Sequence, residues 1–333
     1  MKKIFFITIF TIFSVVFIFF TTQFVEYIIK QKQNKNMIEY CAQNDTEECY
    51  TRMFELMLPK LLLHSAKVNG KNIELTWFDP DTVRIDAKEA ILKSDALLGY
   101  GVYHTTGYED KYSELFNKYS YAFDCGVPTY KPKSDKCLFF SECLASDKFL
   151  IWDHIFTSQM QISSGKIHTL KQKIKELNLE EKQIFVKIDV DEGDIAVLPE
   201  IIKNFDSITG FNIAFHIRDT KAIIDRLPIL DDINEKFILI ARHTYYQPNN
   251  IDYRVIKSKY YKHIINSRIL YLSFINKKLL DSYSIYNNQN SLKYYNNKKV
   301  KIKNLELIDI PISDISFILT FVEKTKQLFK FNK

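Results

Sequence analysis

Four acidic residues follow an apolar run in the stretch VKIDVDEGDIAVL, residues 186–198. The apolar and β-branched residues that precede them predict a buried strand, so the acids lie at its carboxyl end. They are Asp189, Asp191, Glu192 and Asp194. Like charges packed this closely destabilise a fold unless a site uses them. Asp194 is predicted to cap the following helix and Glu192 to be solvated, which leaves Asp189 and Asp191 as candidates for a functional site.

Two glycines and a later acid form a second candidate site. Gly99 and Gly101 end an apolar run before a predicted helix, where absent side chains let a ligand approach backbone N–H groups. The next predicted strand ends in Phe123, and Asp124 follows, 23 residues after Gly101. An acid at this spacing accepts both hydroxyls of a ribose in nucleotide-binding βαβ units. The pattern therefore predicts a nucleoside site, without either of the common phosphate-binding loops GxGxxG and GxxxxGK[ST].

Short apolar runs alternate with polar helical stretches after residue 72, which predicts a parallel sheet covered by helices on both faces. The predicted strands cover residues 96–102, 119–123, 137–141, 184–190, 210–216, 237–241 and 305–311. The predicted helices include residues 109–117, 167–178, 195–204 and 220–227. Residues 245–300, rich in Tyr, Asn and Lys, are predicted to be an insertion: a substrate lid, a membrane-surface contact, or a solvated loop with some helix.

The N-terminal region contains 22 consecutive uncharged residues between Lys3 and Glu26. As a helix at ~1.5 Å per residue, this run is long enough to cross a hydrocarbon layer of ~30 Å. It predicts a single-pass membrane anchor over residues 1–30, followed by a linker and amphipathic helical segment over residues 31–80. A cleavable signal peptide is the alternative, although no small-x-small cleavage site follows. Lysines on both sides of the run leave the membrane orientation open.

Charge and cysteine content narrow the classes of partner. The net charge of +6 comes from lysines spread along the whole chain, without a groove-binding motif, and this argues against a nucleic-acid partner. Five cysteines form neither a CxxC pair nor a Cys/His cluster, so no metal site is predicted. Their odd number and scatter fit a reducing compartment, although Cys41 and Cys49 could form a disulfide in an oxidising one. The oligomeric state is left open.

Six short segments follow one another in a characteristic order. They are Gly99-Tyr100-Gly101-Val102, Tyr108-Glu109, Phe123-Asp124-Cys125, His168-Thr169-Leu170, VKIDVDEGDIAVL and Ile213-Ala214-Phe215-His216. Their order resembles that in the FkbM-like S-adenosylmethionine-dependent methyltransferases, where the corresponding stretches read approximately SFGI, FE, FD, a helix beginning TL, LKIDVEGAEWEVL and IEFH. The resemblance covers about residues 97–243, and KIDVDEGD is its most specific part.

The resemblance implies a doubly wound, Rossmann-like class I methyltransferase sheet in residues 81–333. S-adenosylmethionine would bind across the carboxyl ends of the strands. Gly99 and Gly101 would lie beside its methionine part, and Asp124 would bind its ribose. Glu109, at the start of the first helix of the domain, would either steady the cofactor loop or favour the helix dipole.

The resemblance also implies roles in methyl transfer. Asp189 is the first candidate for the base or substrate-orienting group, and Asp191 is the second candidate. His216 and His243 end the next two predicted strands and would flank the substrate as base or hydrogen-bond donor. The acceptor would be a hydroxyl of a saccharide or of a lipid-linked glycan. A divalent metal on Asp189, Asp191 and His216 is not required by the spacing.

Departures from the family pattern keep other classes of function open. Glu192 stands where the family has glycine, and Ala214 where it has Glu. An inactive methyltransferase-fold protein that binds or scaffolds at the membrane is therefore the main alternative. A metal-dependent glycosyltransferase using Asp189 and Asp191 is a third. Because S-adenosylmethionine is a cytosolic cofactor, an active domain is expected on the cytosolic face of the membrane.

Overall fold

The computed structural model describes residues 2–76, 84–102, 105–144, 166–190, 193–217, 219–245, 269–285 and 305–306. Within these ranges side chains are described from residue 21 onward, apart from those of residues 196, 243–245 and 305–306. The described helices are α1 (Lys2–Gln43), α2 (Glu47–Met57), α3 (Lys88–Lys93), α4 (Gly107–Phe116), α5 (Leu170–Glu176), α6 (Asp194–Lys203) and α7 (Thr220–Lys236). The described strands are β1 (His64–Val68), β2 (Lys71–Asn72), β3 (Leu75–Thr76), β4 (Asp86–Ala87), β5 (Ala96–Tyr100), β6 (Tyr119–Phe123), β7 (Cys137–Phe140), β8 (Cys143–Leu144), β9 (Ile167–His168), β10 (Ile184–Ile188), β11 (Ile208–His216), β12 (Phe237–Tyr245), β13 (Ile269–Asn276), β14 (Ser282–Ile285) and β15 (Leu305–Glu306).

The main sheet has eight described strands in the order β15-β12-β13-β11-β10-β5-β6-β7. Strands β7, β6, β5, β10 and β11 are parallel to their neighbours in this series, whereas β13 is antiparallel to both β11 and β12. Six of the described strands share one direction, namely β5, β6, β7, β10, β11 and β12. If these six are numbered 1 to 6 along the chain, their order across the sheet is 3-2-1-4-5-6, which is the doubly wound order. The order reverses between β5 and β10. Ligands of such sheets bind outside the carboxyl ends of the strands at this switch point.

Helices cover both faces of the sheet. Adjacent residues of β5 show this, because Leu97 packs with Ile91 of α3 and Tyr112 of α4, whereas Leu98 faces the layer of α2, α5, α6 and α7. Every residue of β10 and β11 is buried. Near-continuous apolar strands of this kind are typical of parallel sheets buried on both faces. The predicted doubly wound α/β fold is confirmed at this level.

The ends of several elements differ from those predicted, for local reasons. The helix predicted over residues 167–178 begins at Leu170, because Thr169 and Gln172 form a capping box and residues 167–168 pair with β8 instead. The helix predicted to end at residue 227 continues through Pro228 to Lys236. Because proline usually ends or kinks a helix, the sequence predicts that this helix ends just before Pro228.

Part of the predicted insertion belongs to the sheet. Strand β13, with the sequence ILYLSFIN, lies between β11 and β12 and is buried along most of its length. Strand β14 pairs with β1, whose residues fall in the segment predicted as linker and amphipathic helix. Residues 246–268 and 286–300 of the same range lie outside the described residues.

The predicted membrane anchor falls within α1, but the side chains of residues 2–20 lie outside the described part of the chain. Among the residues that are described, no helix is both long enough and apolar enough to cross a membrane. The carboxyl end of α1 packs on the domain through Cys41, and Thr46 caps α2 by accepting from the Cys49 amide. Met53 and Met57, predicted to lie on an apolar helix face, are buried.

Four of the five cysteines are paired. Cys41 bonds to Cys49, and Cys125 bonds to Cys143, with Cα atoms 5.2 and 4.9 Å apart. Cys137 is a buried thiol. Disulfides form and persist in oxidising compartments. The second bridge joins residues 18 positions apart that sequence spacing did not connect. The compartment of the protein stays a prediction.

Candidate functional site

The carboxyl ends of β5, β6 and β10 meet at the switch point of the sheet. The Asp189 amide donates to the Tyr100 carbonyl oxygen at 3.0 Å, and the Gly101 amide donates to the Phe123 carbonyl oxygen at 2.9 Å. Asp124 directly follows Phe123, and its side chain is half-buried. The structure thus brings Gly101, Asp124 and Asp189 to one place, as the sequence predicts for a crevice at this edge.

The two glycines are required for a different reason from the predicted one. A Cβ atom on Gly99 would lie 2.1 Å from Oε1 of Glu109, and one on Gly101 would lie 1.6 Å from the Asp189 carbonyl oxygen. Gly101 also has φ of +73°, a conformation that favours glycine. The missing side chains therefore admit other parts of this chain, and the Gly101 N–H already has a partner.

A buried lysine lies among the acids of this site. Nζ of Lys187 donates to the Gly101 carbonyl oxygen at 2.7 Å and lies 3.6 Å from Oε1 of Glu109. Burial lowers the pKa of Lys187, and Glu109, Asp189 and Asp124 each oppose that effect by raising the pKa. These carboxylates therefore lie close enough to Lys187 to act on its charge. Lys187 is the first residue of the KIDV motif. A charged residue inside a strand that is otherwise apolar is the sequence feature that could have identified Lys187 as a site residue.

Glu109 lies beneath Gly99 rather than on the surface of α4. Its side chain is 1% exposed, and Oε1 has no hydrogen-bond partner in the described part of the structure. A buried carboxylate oxygen that lacks a hydrogen bond is costly. A helix-dipole role at the start of α4 does not require this burial. The nearest cation to this oxygen is the Lys187 ammonium, 3.6 Å away, so Glu109 and Lys187 form a buried pair of opposite charges.

Arg84 holds the Asp189 carboxylate. Nη2 of Arg84 donates to Oδ2 of Asp189 at 2.5 Å, and Nη1 donates to Oδ1 of Asn212 at 2.8 Å. The Arg84 side chain is 4% exposed and that of Asp189 is 32% exposed. Burial lowers the pKa of Arg84, but the charge of Asp189 and of neighbouring groups raises it by more. The net pKa of Arg84 therefore lies above its usual value. Asp189 thus has one oxygen fixed by a buried cation and a side chain that still reaches solvent.

Asp86 is the centre of the polar network behind this pair. It is fully buried and accepts hydrogen bonds from Tyr108 Oη at 2.7 Å, Asn212 Nδ2 at 2.9 Å and Ser273 Oγ at 3.0 Å. Burial raises the pKa of Asp86 and the three donors oppose that rise. The network links β4, α4, β11 and β13. It therefore holds Asn212, the hydrogen-bond partner of Arg84, in place. Sequence reasoning missed Arg84 and Asp86, which lie in short segments without a clear periodic pattern.

The remaining predicted catalytic residues are not all brought together. Nε2 of the buried His216 lies 3.8 Å from Oδ1 of Asp189, so this pair is close. His243 lies in β12, where its backbone faces Tyr271 of β13, and its side chain is outside the described residues. The prediction that His216 and His243 end neighbouring strands is wrong, because β13 separates β11 from β12. Asp191 lies outside the described residues.

Asp194 has a structural role other than the predicted cap. It is the first residue of α6, Gly193 precedes it in the N-cap position, and its side chain is fully buried. Its two oxygens accept from Nε of Arg226 at 3.0 Å and from Nη2 at 2.6 Å. The last acid of the VDEGD run therefore joins α6 to α7 and does not belong to the crevice.

A second cluster of ionisable groups lies beside the carboxyl ends of β5 and β7. Nδ1 of His168 and Nζ of Lys173 approach Oε2 of Glu142 at 3.2 and 2.5 Å, and the Tyr100 hydroxyl lies 3.5 Å from Nε2 of His168. Burial and, after it, the charge of Lys173 lower the pKa of His168 to about 4, despite the opposing effect of Glu142. Burial would raise the pKa of Glu142, but Lys173 and His168 lower it below its usual value. His168 is therefore neutral at physiological pH.

This buried histidine predicts a pH dependence of stability. The folded-state pKa of His168 lies below the ordinary value of 6.5, so the unfolded chain binds more protons between pH 6.5 and 4. Its contribution is fully present above pH 6.5 and is lost as the pH falls toward 4, by about 3 kcal/mol at most. Urea unfolding of the chain and of His168→Gln at pH 7.0 and 4.5 measures it. The variant should lose less stability on acidification; an identical loss in both proteins would contradict the assignment.

The described residues contain no group of three or more His, Cys, Asp or Glu side chains arranged as metal ligands.

Comparisons with known proteins do not identify a family for this chain. No protein-family model matches the chain, and no curated protein matches it. Among solved structures, the fibrillarin pre-rRNA processing protein of Methanococcus jannaschii is 12% identical, with a TM-score of 0.28. That alignment covers 64% of this chain and 87% of the fibrillarin chain. Likeness at this level does not define a family.

Proposed function

We propose that this protein is an S-adenosylmethionine-dependent methyltransferase that acts on a hydroxyl group. The observation that carries the proposal is the position of Asp124 and Asp189 beside Gly101, with Glu109 beneath Gly99, at the switch point of a doubly wound sheet. S-adenosylmethionine offers a ribose diol and two cationic groups, an ammonium and a sulfonium. Acids placed at a strand-end crevice are the groups that bind a diol and attract cations.

The residues present fit this cofactor. Asp124, half-buried at the end of β6, would accept the ribose hydroxyls. Glu109, whose Oε1 lies 3.6 Å from Nζ of Lys187, is proposed to add negative charge near the ammonium of the methionine part. When bound, the cofactor supplies an electrophilic methyl group on a sulfonium. The chain's own residues then have to orient the acceptor hydroxyl and take its proton.

Asp189 is proposed to receive that proton. Its carboxylate reaches solvent on one side, and Arg84 fixes its orientation on the other. His216 lies 3.8 Å away and is proposed to orient the acceptor or relay the proton. Because Arg84 holds one oxygen of this carboxylate, proton transfer to Asp189 depends on close positioning of the acceptor hydroxyl.

The acceptor is proposed to be a saccharide or lipid-linked glycan hydroxyl, with the apolar part of α1 holding the enzyme at a membrane. The two disulfides favour a domain on the oxidising side of that membrane, in contrast to the cytosolic placement expected from the cofactor. S-adenosylmethionine would then have to be supplied to that side.

The main test of this proposal is cofactor binding by the full chain. Asp124→Asn keeps the side-chain oxygen that accepts from the Gly126 amide at 2.8 Å but removes the charge and one acceptor. The variant is expected to bind S-adenosylhomocysteine roughly tenfold to hundredfold more weakly, the cost of a charged hydrogen bond of about 1.5–3 kcal/mol. Isothermal titration calorimetry measures the dissociation constant.

Asp232→Asn is the matched control for that titration. Asp232 is exposed and lies one turn before the end of α7, near the opposite edge of the sheet. It should leave the dissociation constant unchanged. If the unmodified chain gives no binding heat and no thermal stabilisation at saturating ligand, the proposed cofactor is wrong. If Asp124→Asn binds as tightly as the unmodified chain, Asp124 is not the ribose acid.

A binding protein without turnover is the second candidate function. The observation that favours it is the Arg84 contact, which already neutralises the Asp189 carboxylate. Such a protein would bind S-adenosylhomocysteine and still transfer no methyl group to saccharide acceptors in an assay with radiolabelled S-adenosylmethionine. Turnover on any acceptor from such a panel would exclude it.

A further inference from the structure

A disulfide bond lies next to the acid assigned to the ribose. Cys125, the residue after Asp124, is bonded to Cys143. Cys143 directly follows Glu142, whose carboxylate is held by Lys173 and His168. One covalent bond therefore joins the turn that carries Asp124 to the segment that carries Glu142.

The two bonded segments differ in secondary structure. Cys143 begins β8, pairs with Ile167 of β9 and is buried. Residues 127–136, which follow the Asp124 turn, form neither helix nor strand. The turn is held to β7 by a backbone bond from the Asp124 amide to the Phe140 carbonyl oxygen at 3.1 Å. The bridge thus joins an irregular turn to a strand pair and adds a covalent link to that hydrogen bond.

We infer that the Cys125–Cys143 disulfide positions Asp124 for ligand binding, so that the ligand site is complete only when this bond is formed. The inference rests on the proposed function, because it concerns the same ribose acid. A pre-ordered turn does not have to lose conformational freedom when the ligand binds, and affinity is higher for that reason. Cys125 and Cys143 are positioning residues and would not touch the ligand.

The oxidation state of the bridge therefore becomes a property of the site. A thiol reductant such as dithiothreitol transfers two electrons and two protons to the sulfur pair, which leaves two cysteine thiols and the oxidised, cyclic reductant. The second bridge, Cys41–Cys49, provides a natural comparison. It joins α1 to α2, and both its cysteines are buried, whereas Cys125 is half-exposed.

The test compares two double variants of the full chain. Cys125→Ser/Cys143→Ser is expected to raise the dissociation constant of S-adenosylhomocysteine at least tenfold. Cys41→Ser/Cys49→Ser is expected to change it less than twofold, even though it lowers the midpoint of thermal unfolding. Equal affinity in the first variant, or an equal loss in both, would overturn the inference.

Hydrogen exchange of backbone amides tests the same point without a ligand. Opening the Cys125–Cys143 bridge should speed exchange at Asp124, Gly126 and Cys143, whereas opening Cys41–Cys49 should not. Unchanged exchange at these amides would overturn the inference. If the unmodified chain binds no S-adenosylhomocysteine, the proposed function fails, and the exchange result still decides whether the bridge orders the turn.

A limited reduction replaces the first variant if that variant does not fold. The unmodified chain is treated with dithiothreitol until peptide mass spectrometry shows Cys125–Cys143 open and Cys41–Cys49 closed. The expected results are the same weakening of affinity and the same local increase in exchange. A singly reduced chain that keeps the oxidised affinity and exchange rates would contradict the proposal.

Discussion

Asp189→Asn is expected to reduce methyl transfer by at least 10²-fold, within the usual 10²–10⁴-fold contribution of a general base. Asparagine keeps an oxygen that can accept from Arg84 but cannot take a proton from an acceptor hydroxyl. Binding of S-adenosylhomocysteine should change little, since Asp124 and Glu109 are intact. Single-turnover rates with radiolabelled S-adenosylmethionine measure the effect, and turnover at the unmodified rate would remove Asp189 from the chemistry.

The same substitution also has a structural cost that must be separated from the catalytic one. Arg84 is almost fully buried, so neutralising its partner leaves a cation without a counter-charge. Removing one partner of a buried pair costs about 3–5 kcal/mol, and Asp189 is partly solvated, so the loss here should lie at or below the lower end. Activity is therefore compared well below the unfolding midpoint of the variant.

Arg84→Lys is the matched variant. It keeps a buried positive charge but cannot make both planar hydrogen bonds, to Asp189 and to Asn212. It should retain measurable turnover, because the base is still present, while the reaction rate falls through looser positioning. If Arg84→Lys is as inactive as Asp189→Asn and equally unstable, loss of activity reflects the fold rather than the base.

The fold was predictable from the sequence because its strands are buried on both faces. The apolar runs in β5, β6, β10 and β11 predict strands from the sequence alone, without knowledge of tertiary contacts. Strand β13 was missed for a compositional reason: it lies among Tyr-, Asn- and Lys-rich residues that read as an inserted loop. Its antiparallel position between β11 and β12 is a tertiary property, and it moved His243 away from His216.

The candidate site was predictable only at the ends of those strands. Asp124 and Asp189 follow parallel strands, and parallel strands place their carboxyl ends at one edge. Charge pairing across the sheet cannot be read in the same way. Arg84 contacts Asp189 across 105 residues and Arg226 contacts Asp194 across 32 residues, so the sequence pattern predicted neither partner. Asp194 belongs to the core because α6 begins at this residue and its side chain bonds to Arg226 of α7.

The Asp194–Arg226 pair gives the largest expected effect on stability. Both side chains are fully buried, and two hydrogen bonds join them. Arg226→Leu leaves the Asp194 carboxylate buried without its counter-charge and should lower the free energy of unfolding by about 3–5 kcal/mol. Urea unfolding followed by circular dichroism measures the change.

A double variant and an exposed pair on the same helix separate the causes of that loss. Asp194→Leu/Arg226→Leu removes both charges, and replacing a buried ion pair by apolar residues of similar volume is often neutral or stabilising, so most of the loss should be recovered. Asp225→Asn breaks the exposed Lys221–Asp225 pair, 2.7 Å long, and should cost no more than about 0.5 kcal/mol.

Two outcomes would contradict this account. If Arg226→Leu lowers the free energy of unfolding by less than about 1 kcal/mol, water or another cation reaches Asp194. A double variant no more stable than the single one would mean that packing of Arg226 against Phe215, with its guanidinium carbon 5.6 Å from the ring centre, matters more than the charge.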